Sequence, residues 1–149
     1  MKPLLIKSSD PWVLLSLATA SFRGSCSLRG LIAAGDYINH AVLKRPEIEG
    51  GINRLAAAGL VVVSPWGFSL TPGARRLLLG LESDTRSLLK QWDLLNVRLP
   101  KLRTLERPFP RWRLGRERYR KAVAEYLSSF ASGSKPGKRP RPLRRDRPA

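Results

Sequence analysis

The chain has 149 residues, 42% of them apolar, with 28 Lys and Arg against 11 Asp and Glu, for a net charge of +17. That length holds one domain of ordinary size with a real core, and the basic excess points to polyanionic partners, nucleic acid before an anionic membrane surface. A single cysteine and a single histidine exclude an intramolecular disulfide, a cysteine metal cage and a two-histidine metal motif.

The chain starts with Lys2 and Lys7 ahead of an apolar run from Trp12 to Ala18, and Ala18-Thr19-Ala20 imitates a signal-peptide cleavage site. Asp10-Pro11 directly before the run reads instead as a helix start, with Asp10 at the N-cap and Pro11 at N1. The expectation is a first helix over 11–21 of a cytoplasmic protein, with Val13, Leu14, Leu17 and Ala18 on one apolar stripe. No run reaches the roughly 18 apolar residues of a membrane span.

Phe22-Arg23-Gly24-Ser25 breaks this helix, and Ser25-Cys26-Ser27 is extended. Ser27 then caps a second helix over 28–42, burying Leu28, Leu31, Ile32, Ile38 and Ala41 or Val42. Its glycines, Gly30 and Gly35, each weaken it by about 1 kcal/mol relative to Ala, so packing must hold it. Pro46 opens a third helix in which Ile48, Ile52, Leu55 and Ala56 share a face, and Gly59 stops it.

Leu60-Val61-Val62-Val63 has strand propensity, Ser64-Pro65-Trp66-Gly67 turns the chain, and Phe68-Ser69-Leu70 returns as a second strand. Thr71-Pro72 starts a fourth helix with Ala74, Leu77, Leu78 and Leu81 inside. Ser83 caps a fifth helix with Leu88, Leu89, Trp92, Leu95 and Val97, stopped by Pro100. An extended connector rich in Pro and Arg over 100–113 leads to a last helix over 114–130, with Tyr119, Val123, Tyr126, Leu127 and Phe130 on one face. The end of the chain, 131–149, is a basic tail almost without apolar residues and is expected to be disordered.

The fold class expected is mainly α with a small β-hairpin. Residues 46–73, PEIEGGINRLAAAGLVVVSPWGFSLTPG, carry the most informative pattern. Leu55 precedes Gly59-Leu60-Val61 by one turn, and Leu70-Thr71-Pro72-Gly73 closes the hairpin. This resembles the third helix, wing and following helix start of winged helix-turn-helix domains, and the resemblance covers about residues 10–80. It implies a winged-helix domain over 1–82, a C-terminal helical extension over 83–130, and the basic tail. In DNA-binding members of this fold the third helix enters the major groove and the wing touches phosphate or the minor groove.

That role would fall on Asn53 and Arg54 of the third helix. The rest of its outward face, Glu47, Gly50, Gly51 and Ala57, reads DNA poorly, and Glu47 and Glu49 stand where a helix start would welcome phosphate. The two acids also suit the helix dipole. Trp66 at the wing tip can stack on a base or pack back over the sheet edge. Arg75 and Arg76 can reach phosphates or line a solvated helix face. Asp36 and His40, four apart, can pair locally. No nucleophile motif, phosphate loop or metal cluster points to catalysis.

The charge is unevenly placed. Residues 1–80 carry +5, residues 81–100 are neutral and residues 101–149 carry +12. Arg outnumbers Lys 20 to 8, a skew that a GC-rich genome alone can produce. In the last third Arg111, Arg113, Arg116 and Arg120 interleave with Trp112 and Tyr119, a mixture suited to a nucleic-acid backbone. The tail cations Lys138, Arg139, Arg141, Arg144 and Arg145 would bind phosphates without sequence preference. Five such contacts give a salt slope of about −4.5 on B-DNA. Leu88, Trp92, Leu95 and Leu99 form an apolar seam that can serve a homodimer through the helix at 83–99 or the chain's own core. The function expected is nucleic-acid binding, DNA before RNA, of a transcriptional-regulator kind. The alternative is a winged-helix module that binds protein.

Overall fold

The computed structural model describes residues 5–103 and 111–131. The tail beyond residue 131, with Lys138, Arg139, Arg141, Arg144 and Arg145, lies outside the described residues, as does part of the connector. In chain order come α1 (Asp10–Ala20), β1 (Ser25–Cys26), α2 (Leu28–Asn39), α3 (Arg45–Ala57), β2 (Val61–Ser64), β3 (Gly67–Leu70), α4 (Pro72–Asp84), α5 (Leu88–Arg98) and α6 (Arg116–Ala131). A 3₁₀ turn, Leu99–Lys101, follows α5. The chain is mainly helical with one small antiparallel sheet. The expected hairpin gains a third strand, because the extended Ser25-Cys26 stretch pairs with β3 and gives the order β1-β3-β2.

The helix α1 is the centre of the molecule. Every residue from Asp10 to Ala18 is buried, so the one-sided stripe expected for it is absent. The cause is packing on all sides, by α2, α3, α5 and β3. Asp10 is also not the N-cap, which is Ser9. Its carboxylate accepts the Lys7 backbone N–H at 2.9 Å and faces inward.

Side-chain caps set several of the other boundaries. Ser27 Oγ accepts from Gly30 N at 3.0 Å and starts α2, which ends at His40 in the left-handed region, φ 54. Glu47 Oε1 accepts from Lys44 N at 2.9 Å, so this acid closes a capping arrangement on α3. Thr71 Oγ1 accepts from Ala74 N at 3.1 Å to start α4 and donates to Gly59 O at 2.7 Å, which ties that start to the end of α3. Ser83 does not cap a helix: α4 runs through it, its hydroxyl donates to Gly80 O at 2.7 Å, and Ser87 caps α5.

Two glycines are required by close approach. A Cβ on Gly51 would stand 2.9 Å from Val13 Cγ2, so this glycine lets α3 rest against α1. Gly67 has φ 149, and a Cβ there would stand 2.2 Å from Cys26 O, so only glycine lets β3 pair with β1 at that end.

One apolar cluster runs from Trp12 through Phe68 and Leu95 to Leu114 and Tyr126. The cluster has members on both sides of the boundary expected at residue 82. Leu95 and Leu99 are fully buried, and Trp92 stacks on Trp12 with ring centroids 5.8 Å apart. The seam that could have served a dimer is thus filled by the chain's own first helix. The last helix, α6, packs along α2. Its Tyr126 hydroxyl donates to the Asp36 carboxylate, and its Tyr119 hydroxyl donates to Leu43 O at 2.6 Å. Burial, and then Glu47, raise the Tyr119 hydroxyl above its usual 10.0. Among the described residues no helix is long and apolar enough to cross a membrane.

Cys26 is buried, and burial pushes its thiol up from 9.0 to about 12. The folded state thus keeps the proton that the unfolded chain releases above pH 9. Stability is expected to fall as pH rises from 9 towards 12, and Cys26→Ala is expected to remove that part of the slope. Urea titrations of both proteins across this range check it.

Candidate functional site

Arg45, Glu49 and Asn53 stand four residues apart on α3, and so form one row on its surface. Residues 111–115 cross this row as an extended strap without regular secondary structure. The row grips the strap by its backbone. Asn53 Nδ2 donates to Trp112 O at 2.8 Å, and Trp112 N donates to Asn53 Oδ1 at 2.9 Å. Leu114 N donates to Glu49 Oε2 at 2.8 Å, and Arg45 Nη1 donates to Leu114 O at 3.3 Å. A primary amide can exchange both bonds with the N–H and C=O of one residue, as a neighbouring antiparallel β-strand would.

The strap alternates like a strand. Leu114 is 1% exposed, and the Trp112 ring sits edge-on to Phe68 of β3 with centroids 5.1 Å apart. Arg111 and Arg113 point the other way, into solvent, with the Arg111 side chain 72% exposed. The outward face of α3 is therefore covered along its middle, and the covering layer presents arginine.

Asn53 and Arg54, expected as base or phosphate readers, both make bonds within the chain. The Asn53 amide holds the strap, and its Nδ2 also donates to Glu49 O at 2.9 Å. Arg54 reaches inward as a fork, Nε to Asp10 Oδ2 at 2.6 Å and Nη2 to Asp10 Oδ1 at 2.8 Å. Asp10 is fully buried, so this guanidinium is the counter-charge of a core carboxylate.

Of the remaining expected site residues, Trp66 is 85% exposed at the hairpin tip and does not pack back over the sheet edge. Arg75 Nη1 donates to Leu70 O at 2.9 Å and closes the end of β3, whereas Arg76 is exposed. Arg116 and Arg120 are exposed on α6.

The structure brings Arg111, Arg113 and Arg116 together with Arg45, around an open notch of about 420 Å³ that also contains Glu49. Sequence reasoning gave Glu49 a place at the helix start but no partner, and it did not single out Arg45. Their signal is the polar row at spacing four on a helix face assumed to face solvent. Among the described residues no group of three His, Cys, Asp or Glu side chains is placed to hold a metal ion.

Removal of the Asn53 grip makes a specific expectation. Asn53→Ala leaves the Trp112 peptide without its partner and is expected to cost about 1–3 kcal/mol. Trypsin cleavage after Arg111 and Arg113 is expected to accelerate at the same time, and unchanged cleavage would contradict the grip.

No family model, curated protein or solved structure matches the chain.

Proposed function

We propose that the chain is a winged-helix protein that binds nucleic acid through phosphate contacts from the arginines of the strap and α6, with α3 serving as scaffold and not as reader. The element order α1-β1-α2-α3-β2-β3 and the sheet order β1-β3-β2 support the winged-helix part. The observation that carries the functional part is the strap across α3. It occupies the face that would enter a major groove and replaces it with Arg111 and Arg113, beside Arg116 of α6. Solvent-exposed guanidiniums at the ends of a fixed backbone suit phosphates, which carry no sequence information.

The test is fluorescence anisotropy of the full chain with two unrelated duplex DNAs of equal length across salt. Equal affinities within about threefold are expected, with a steep loss on adding salt to which Arg111, Arg113, Arg116 and Arg120 contribute a slope of about −4. A preference of tenfold or more for one duplex, or no binding at low salt, would sink the reading.

One observation favours the protein-binding alternative. Trp66 and Val62 are both exposed on the hairpin, and β2 is an edge strand of the sheet. If that reading holds, duplex binding is absent.

A further inference from the structure

The notch at the meeting point of α3 and α6 has a charge balance that a single backbone phosphate does not match. Arg45 is the first residue of α3 and Arg116 is the first of α6, so the positive ends of both helices lie at its rim. Arg111 and Arg113 enter from the strap between them. Against these four guanidiniums stands one carboxylate, Glu49, and its charge is already shared. Its Oε2 accepts from Leu114 N at 2.8 Å and lies 3.5 Å from Arg45 Nη1, while its Oε1 lies 3.9 Å from Arg111 Nη2. Among the described residues Arg113 and Arg116 have no ion-pair partner. The notch therefore holds an uncompensated charge of about +3 in a depression of about 420 Å³. That volume lies within the range of pockets that take a small molecule.

A phosphodiester brings one negative charge to such a site. A terminal phosphomonoester brings between 1.5 and 2, roughly, and a diphosphate brings more. Guanidiniums bind such groups bidentately and stay charged at any working pH. We propose that this notch is a binding site for a compact phosphate polyanion, either the terminal phosphate of a nucleic-acid strand or a free di- or triphosphate. The inference rests on the strap being a phosphate-binding surface, and it adds a ligand class that duplex backbone contacts do not require.

Titration of the full ¹⁵N-labelled chain with inorganic pyrophosphate tests it. Saturable shifts of the Leu114, Gly115 and Arg116 amides are expected. The double variant Arg113→Glu with Arg116→Glu changes two exposed residues that lack ion-pair partners, so folding is expected to be retained. It is expected to weaken pyrophosphate binding at these amides by about tenfold or more. Arg86→Glu with Lys90→Glu makes the same change of net charge elsewhere and is expected to weaken it less than about threefold. A 5′-phosphorylated oligonucleotide that binds about tenfold tighter than its 5′-hydroxyl form assigns the site to strand ends. Equal binding of the two, with pyrophosphate still saturating the notch, assigns it to free polyphosphate. Absence of saturable shifts, or equal weakening by both double variants, overturns the proposal. Duplex binding that persists in that case leaves the proposed function standing. Pyrophosphate binding at the notch without duplex binding does the reverse.

Discussion

Replacing Arg54 by Ala is expected to lower the unfolding free energy by about 3–5 kcal/mol, read from urea denaturation followed by tryptophan fluorescence. The cause is Asp10. Its carboxylate is fully buried, and the Arg54 fork supplies two of its hydrogen bonds, at 2.6 and 2.8 Å. The Lys7 backbone N–H remains as a donor but carries no charge. Removing the guanidinium leaves an uncompensated charge among Val13, Gly51 and the rest of the first-helix core. The Arg54 side chain is 24% exposed, so water entering from that side places the effect towards the lower end of the range. Asp10→Asn in the Arg54→Ala background removes the charge and is expected to recover part of the loss. If Arg54→Ala instead leaves stability unchanged and weakens DNA binding, Arg54 is a reader and the core pairing is wrong.

Reversing the charge of Arg113, Arg116 and Arg120 to Glu together is expected to weaken duplex binding by about 500-fold at 0.1 M salt. Each arginine–phosphate pair is worth about 8-fold at that salt, and removing three also flattens the logarithmic salt dependence by about 3. All three residues are exposed and lack ion-pair partners among the described residues, so the weaker binding is expected without a change in stability. Anisotropy across salt and urea denaturation of the same variant separate the two effects. Unchanged affinity would place the binding in the tail, away from the strap and α6.

The helices and the hairpin were legible because local chemistry marks their ends. Ser27, Thr71 and Gly59 act at the positions their types suggest. The burial of α1 was less legible. Its sequence is apolar nearly all round, but only the convergence of α2, α3, α5 and β3 uses every face. The positions of Asp10, Asn53 and Arg54 depend on partners 44 and 59 residues away, which no local pattern reveals. A surface Arg, Asn and Glu on a helix read as a solvated or DNA-facing row until the strap is seen on top of them. The strap did leave a trace. Arg111-Trp112-Arg113-Leu114 alternates polar and apolar residues at period two, the pattern of an extended segment with one buried side. The +17 of the chain likewise gains a location. Part of it is arranged over α3 as a layer of arginine, while the helix beneath keeps its own polar groups for internal bonds.

Amide hydrogen exchange at Trp112 and Leu114, with and without saturating duplex DNA, tests most directly whether α3 stays covered when nucleic acid binds. Both amides donate to α3 side chains, at 2.9 and 2.8 Å. The predicted result is protection of both amides in the free and bound protein, with duplex-induced shifts confined to the strap arginines and α6. Faster exchange of both amides on adding duplex, together with shifts at Gly50 and Asn53, would mean that the strap leaves and α3 reads the DNA after all.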